Sequence, residues 1–203
     1  MSTEIGHIPA AAPAEGVPGP QQGMWTYEDY TDLPDDGNRY EVLQGVLYMA
    51  PSPGKWHQKA SVAISHYLYV AVQMAGLGEV YAAPFDVRLD EKNTVQPDVL
   101  VVLNKHLDRV TKHGIVGAPD LAVEIASPST ARIDLSEKFQ AYAAAVPEYW
   151  VVNPGSHTVE VFVLQEGVYN SLGIYYGPAV LPSRIVPTLN VKVEQCFPYQ
   201  ETR

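Results

Sequence analysis

Two periods of hydrophobic residues alternate along the chain, and their order predicts its elements. A helical period comes first: residues 26–33 form a short run capped by Thr26 and stopped by Pro34 and the Asp35-Asp36-Gly37 turn. Residues 39–50 then alternate as two short strands joined at Gln44-Gly45. From 55 to 75, Trp56, Ala60, Ala63, Ile64, Tyr67, Leu68, Ala71 and Met74 trace one face of a long helix with His57 in its first turn. Residues 78–83 and 85–89 read as strands separated by Pro84, and 95–103 is a nearly continuous apolar run, the mark of a strand covered on both faces. Residues 104–117 read as a loop with a helical turn.

The next segment has the sharpest pattern. Leu121, Val123 and Ile125 alternate with Ala122, Glu124 and Ala126, which predicts a strand with one bulky apolar face and one small-residue face carrying a carboxylate. Ser127-Pro128-Ser129-Thr130 has N-cap chemistry, and Leu135, Phe139 and Tyr142 continue at helical spacing, so a helix is expected over about 130–145. Lys138 lies beside that stripe, four residues from Asp134, and its long side chain can reach toward the Glu124 face. Residues 148–153, 158–164 and 168–175 close the chain as antiparallel strands. The pattern is α/β in the α+β sense: a mixed sheet flanked by two principal helices, with antiparallel strands at the C-terminus.

Composition narrows the function. The 203 residues suit one domain with a real core, expected over 24–203. Residues 1–23, rich in Pro, Gly and Ala, are expected to be a disordered tail. No apolar run approaches a membrane span, and the first residues lack the basic-then-apolar order of a signal peptide, so a cytoplasmic location is expected. Cys196 is the sole cysteine, which excludes an intramolecular disulfide. The net charge of −10 argues against a protein that coats nucleic acid, while leaving room for local binding through a metal and a few basic groups.

No phosphate-binding glycine loop, dinucleotide fingerprint, His-Glu-x-x-His, paired-cysteine zinc spacing or Gly-x-Ser-x-Gly elbow occurs. What remains is carboxylates on strands. A Glu among apolar residues needs a partner or a metal, because desolvating a lone charge is expensive. If the strands bearing Asp98 and Glu124 are neighbours, two hard oxygen ligands converge, a set suited to Mg2+ or Mn2+ with waters and a substrate phosphate.

Pro97-Asp98 followed by Glu124 resembles the PD-(D/E)XK nuclease superfamily, whose fold is restriction endonuclease-like. The usual lysine two residues after the acid is here Ala126. A fuller set is similar to one branch of that superfamily, the Uma2 family, carried as a domain of unknown function. It comprises Arg39-Tyr-Glu-Val-Leu-Gln-Gly, His57-Gln58, Val95-Gln-Pro-Asp-Val, Gly117-Ala-Pro-Asp-Leu-Ala-Val-Glu-Ile-Ala-Ser-Pro-Ser-Thr, Glu137-Lys138, Tyr142 and Val146-Pro-Glu-Tyr-Trp. It covers roughly residues 24–197 in the same order. Gln44 and Val46 depart from it, standing where the family often has acidic residues.

The resemblance implies a Mg2+-dependent endodeoxyribonuclease acting on DNA. In it Asp98, Glu124 and the Ile125 carbonyl bind the metal, Lys138 has taken over the catalytic lysine's place from the helix, and Glu41 and His57 turn toward the site. Plainer alternatives stand beside each role: a buried Glu124–Lys138 ion pair that serves only the fold, a solvated Lys138–Asp134 pair, an exposed hairpin Glu41, and a His57 that merely packs. As a whole, the alternative is a non-catalytic binding or assembly module. A homodimer is expected, with sheet edges and the aromatics at Tyr149-Trp150 and Tyr175-Tyr176 as its candidate surfaces.

Overall fold

The computed structural model describes residues 13–50, 52–126 and 137–197. Among these, the strands form two sheets. The first contains β1 (Arg39–Leu43), β2 (Val46–Ala50), β4 (Asp86–Asp90), β5 (Asn93–Val95) and β7 (Gly114–Val116), in the spatial order β2-β1-β5-β4-β7. The second contains β3 (Gly78–Ala82), β6 (Val99–Leu103), β8 (Leu121–Ile125), β9 (Glu148–Asn153), β10 (Thr158–Gln165) and β11 (Val168–Tyr176), in the order β11-β10-β9-β8-β6-β3. The helices are α1 (Tyr27–Thr31), α2 (Lys55–Leu68), α3 (Glu137–Ala143) and α4 (Val193–Cys196). Thr26 caps α1 through a reciprocal box with Asp29, as its position before the helical run predicts.

The alternation in β8 does what the sequence requires of it. Leu121, Val123 and Ile125 enter a core shared with Ala60, Ile64 and Leu68 of α2. Ala122 enters a separate core on the other face, with Tyr142 of α3 and Tyr149 of β9. Both faces of this sheet are therefore covered, and Val99 through Val102 are completely buried. β8 pairs with β9 in parallel. A parallel neighbour cannot be reached by a hairpin, so the intervening chain must cross over a face, and the crossover carries α3 onto the Ala122 side. The expected N-cap turn and first part of this helix lie outside the described residues.

Three expectations about the elements change. The apolar run 95–103 is two strands in different sheets: β5 ends at Val95, β6 begins at Val99, and Gln96-Pro97-Asp98 carries the chain across. Pro97 has no N–H to give a ladder, and the Gln96 N–H is taken by the Glu41 carboxylate, so neither residue extends a strand. The long helix turns π-helical over Tyr69–Gln73. The wider turn brings Val72 into the core and leaves Met74, expected on the buried face, 71% exposed. Within 104–117, the 3-10 turn Asn104–Arg109 is followed by β7, which pairs in parallel with β4.

Residues 13–23, expected to be part of a disordered tail, lie against the β1–β2 hairpin. The Ala14 N–H donates to the Leu47 carbonyl at 2.8 Å, and the Gln22 amide bridges Ala14 and Leu47. Ala14 and Trp25 join Tyr40, Val42 and Leu47 in a third small core. Backbone pairing and the Trp25 indole supply what the composition of this segment lacks. Tyr149 and Trp150, held open as dimer aromatics, are buried. Among the described residues no helix is long and apolar enough to cross a membrane.

The turn of the β1–β2 hairpin is tightly constrained. Gly45 has φ +74°, and a Cβ there would lie 2.5 Å from the Gly23 carbonyl oxygen, while the Gly23 and Trp25 N–H groups both donate to the Gly45 carbonyl. Gly37 also has positive φ, but open space surrounds it. Gly37→Ala should cost about 1–2 kcal/mol, the strain of the left-handed conformation alone. Gly45→Ala should cost more, because a backbone oxygen must move; urea unfolding of the two variants checks the order.

Candidate functional site

Asp98 stands one step beyond the Val99–Val123 pair of β6 and β8, so it lies opposite Glu124 on the next strand. The same parity that sends Leu100, Val102 and Ala122 into the α3-side core places both carboxylates on that face. The strand neighbours required for two converging oxygen ligands are therefore present. Asp98 is fixed by the Ile125 N–H, which donates to Oδ2 at 2.8 Å, and by His57, whose Nε2 is 3.1 Å from the same oxygen. His57 reaches it from the first turn of α2, around the end of the sheet. Its Nδ1 is buried and has no hydrogen-bond partner among the described residues.

On Glu124, Oε1 accepts the Tyr142 hydroxyl at 2.7 Å and lies 3.1 Å from Lys138 Nζ. Lys138 and Tyr142 are four residues apart on α3, so one helix face delivers both donors to one oxygen. The Lys138 ammonium also meets Glu41 Oε2 at 2.9 Å, and Glu41 Oε1 accepts the Gln96 N–H at 2.7 Å. Glu41 comes from β1 of the first sheet, so this group of charges spans the seam between the sheets. Glu41, Asp98, Glu124 and Lys138 are 3–6% exposed. Charges so far from water persist only with partners in good geometry, and each has them. Burial, followed by the Glu124 and Glu41 charges, holds the Tyr142 hydroxyl well above its usual pKa of 10.0, so it stays protonated and donates.

Of the five side chains expected from the sequence, Glu41, Glu124 and Lys138 meet directly, His57 meets Asp98, and the strand register sets Asp98 opposite Glu124; Glu41 is not an exposed hairpin charge. Ile125 adjoins Asp98 through its amide. The Asp134 partner considered for Lys138 lies outside the described residues. Ala126, where the usual lysine would stand, donates its N–H to the Val152 carbonyl and continues the ladder. Gln44 is exposed and contacts Gln140 at 3.3 Å.

Sequence reasoning gave no role to Gln96. Its side chain accepts from Arg39 Nε at 2.9 Å and donates to Asp86 at 2.7 Å and to the Tyr30 hydroxyl at 3.1 Å, while its N–H holds Glu41. The available signal was its place immediately before Pro97-Asp98.

As a cation site, the donor set is of the hard-oxygen kind. The hydrogen-bonding contacts of Asp98 among the described residues end on Oδ2, which leaves Oδ1 for another ligand. No group of three or more His, Cys, Asp or Glu side chains converges at metal-ligand geometry among the described residues. Two carboxylates suit Mg2+ or Mn2+, which keep several waters and take further ligands from a substrate phosphate, and do not suit a caged Zn2+ or Ca2+.

The Uma2 family, described as "Putative restriction endonuclease", matches residues 27–194. A crystal structure described as "a putative nuclease belonging to DUF820" from Anabaena variabilis is similar in fold, with a TM-score of 0.72 at 18% identity, covering 85% of this chain and 97% of that one. Among curated proteins, none matches the chain.

The buried charges generate a stability prediction. Lys138→Met leaves two buried carboxylates without their ammonium and should lower the unfolding free energy by about 3–5 kcal/mol. Adding Glu41→Met should recover part of the loss, because one of the stranded charges is then gone. Urea unfolding of the single and double variants measures both effects.

Proposed function

The chain belongs to the Uma2 family, and from that premise we propose that it is a divalent-cation-dependent endodeoxyribonuclease that hydrolyses phosphodiester bonds in DNA. The observation that carries the proposal is the placement of Lys138 Nζ 3.1 Å from Glu124, with Asp98 on the neighbouring strand. The lysine absent at position 126 is replaced by one from α3. This arrangement favours catalysis over the assembly module, whose motives were that absence and the net charge of −10.

Asp98 and Glu124, with the Ile125 carbonyl, would hold Mg2+ or Mn2+, which when bound supplies charge stabilisation at the phosphate under attack. The protein's own groups do the rest. The Ile125 N–H and His57 fix the Asp98 carboxylate in rotation, so its free oxygen faces the site. The Tyr142 hydroxyl holds Glu124 Oε1 and so fixes the rotation of that carboxylate. The Lys138 ammonium orients the attacking water and offsets the negative charge that grows on the phosphate oxygens. Hydrolysis breaks the P–O bond to one nucleoside as the water oxygen bonds to phosphorus in line, and the departing oxygen takes up a proton. With a net charge of −10, the chain engages its polyanionic substrate through this site and a few basic groups rather than along a broad surface.

Calorimetry with Mn2+ and cleavage of mixed single- and double-stranded DNA test the proposal together. Asp98→Asn and Glu124→Gln should each weaken Mn2+ binding by about tenfold or more and abolish cleavage, the expectation for loss of a ligand. Lys138→Gln should bind Mn2+ and lose turnover. A wild type that binds no Mn2+ at millimolar concentration and cuts no DNA would return the buried charges to a purely structural role.

A further inference from the structure

We infer that Glu41 is a positioning residue for Lys138, supplied by one sheet to the site of the other, and stands outside the cation's ligand shell. The inference rests on the nuclease reading of the site for its consequence in catalysis, although the contact itself does not depend on that reading. Both oxygens of Glu41 are spoken for: Oε1 accepts the Gln96 N–H at 2.7 Å and Oε2 meets Lys138 Nζ at 2.9 Å. Asp98 differs in kind, since its protein contacts converge on one oxygen.

A lysine on a strand next to the acidic residue is aimed by the sheet itself. Lys138 comes instead from a helix on a crossover, at the end of a stem with four rotatable bonds, and its contact with Glu124 Oε1 by itself does not fix the direction of the ammonium. Glu41 supplies the second point. It is in turn immobilised, because the Gln96 backbone that it grips is held by the Gln96 side chain's bonds to Arg39, Asp86 and Tyr30. The chain of contacts runs from α1 through β4 and the Gln96 turn to Glu41 and ends on the ammonium.

Glu41→Gln and the shortened Glu41→Asp test this by three readouts on the full chain. The first is the rate at which acetic anhydride labels Lys138, read by mass spectrometry with the other lysines as internal controls. Loss of a hydrogen bond to a charged group should raise it roughly tenfold in Glu41→Gln while circular dichroism and the other lysines stay unchanged. The second is Mn2+ affinity by calorimetry, which should stay within about twofold of wild type, against the tenfold or greater loss expected for a ligand variant such as Asp98→Asn. The third is cleavage, where kcat should fall by roughly 100-fold with KM unchanged, the cost of a group misplaced by about an ångström. Glu41→Asp should fall between wild type and Glu41→Gln in labelling and in kcat, and it serves as the labelling test if Glu41→Gln does not fold. Unchanged labelling, or Mn2+ affinity lost together with that of Asp98→Asn, overturns the inference. A wild type without Mn2+ binding or cleavage defeats the nuclease reading instead, and labelling still decides whether Glu41 holds the lysine.

Discussion

A buried ammonium group cannot be left without counter-charge, and the arrangement of this protein around Lys138 follows from that constraint. Water is excluded from the group, so the protein must replace hydration with carboxylates in contact geometry. It draws them from both sheets, Glu41 from β1 and Glu124 from β8. Each carboxylate then needs its own donors, which are the Gln96 N–H and the Tyr142 hydroxyl. The two sheets are thus locked to each other through one side chain.

The parallel pairing of β8 with β9 is what allows a helix to supply that side chain. The crossover must pass over one face of the sheet, and the face with small residues, Ala122 beside Glu124, is the one with room for it. Position 126, by contrast, is committed to the backbone ladder through Val152. A lysine can therefore leave the strand and still reach its carboxylate, provided that the helix over the strand offers a position within reach and that something steadies the longer approach.

Much of this was legible in the sequence because it depended on local period. The alternation in β8 named the strand, its two faces and the isolated carboxylate, and the helical stripe after it put Lys138 beside that carboxylate. The Thr26 cap and the antiparallel C-terminal strands followed from equally local signals. What was not legible depended on partners far along the chain. The split of residues 95–103 into two sheets is decided by a carboxylate some fifty residues earlier, which captures the Gln96 N–H, and no period within the run reveals it. The ordering of residues 13–23 depends on the exposed edge of a hairpin and on Trp25, while the segment's own composition points the other way. Gln96 itself was visible as a neighbour of Pro97-Asp98, but its four partners come from β1, β4 and α1, so its role appears only after folding. The π turn after α2 shifted the phase of a stripe whose spacing alone continued smoothly to Met74.

Gln96-Pro97-Asp98 is also the whole of the covalent link between β5 and β6. Three residues reach about 10 Å at full extension. The first sheet is consequently held by short links, this one ending on Asp98, an expected metal ligand, and two more at residues 83–85 and 117–120. It cannot drift away from the second sheet. The distance from the end of β5 to Asp98 is therefore set by the covalent chain as well as by packing, and a substrate meets the two sheets at a separation the backbone itself limits.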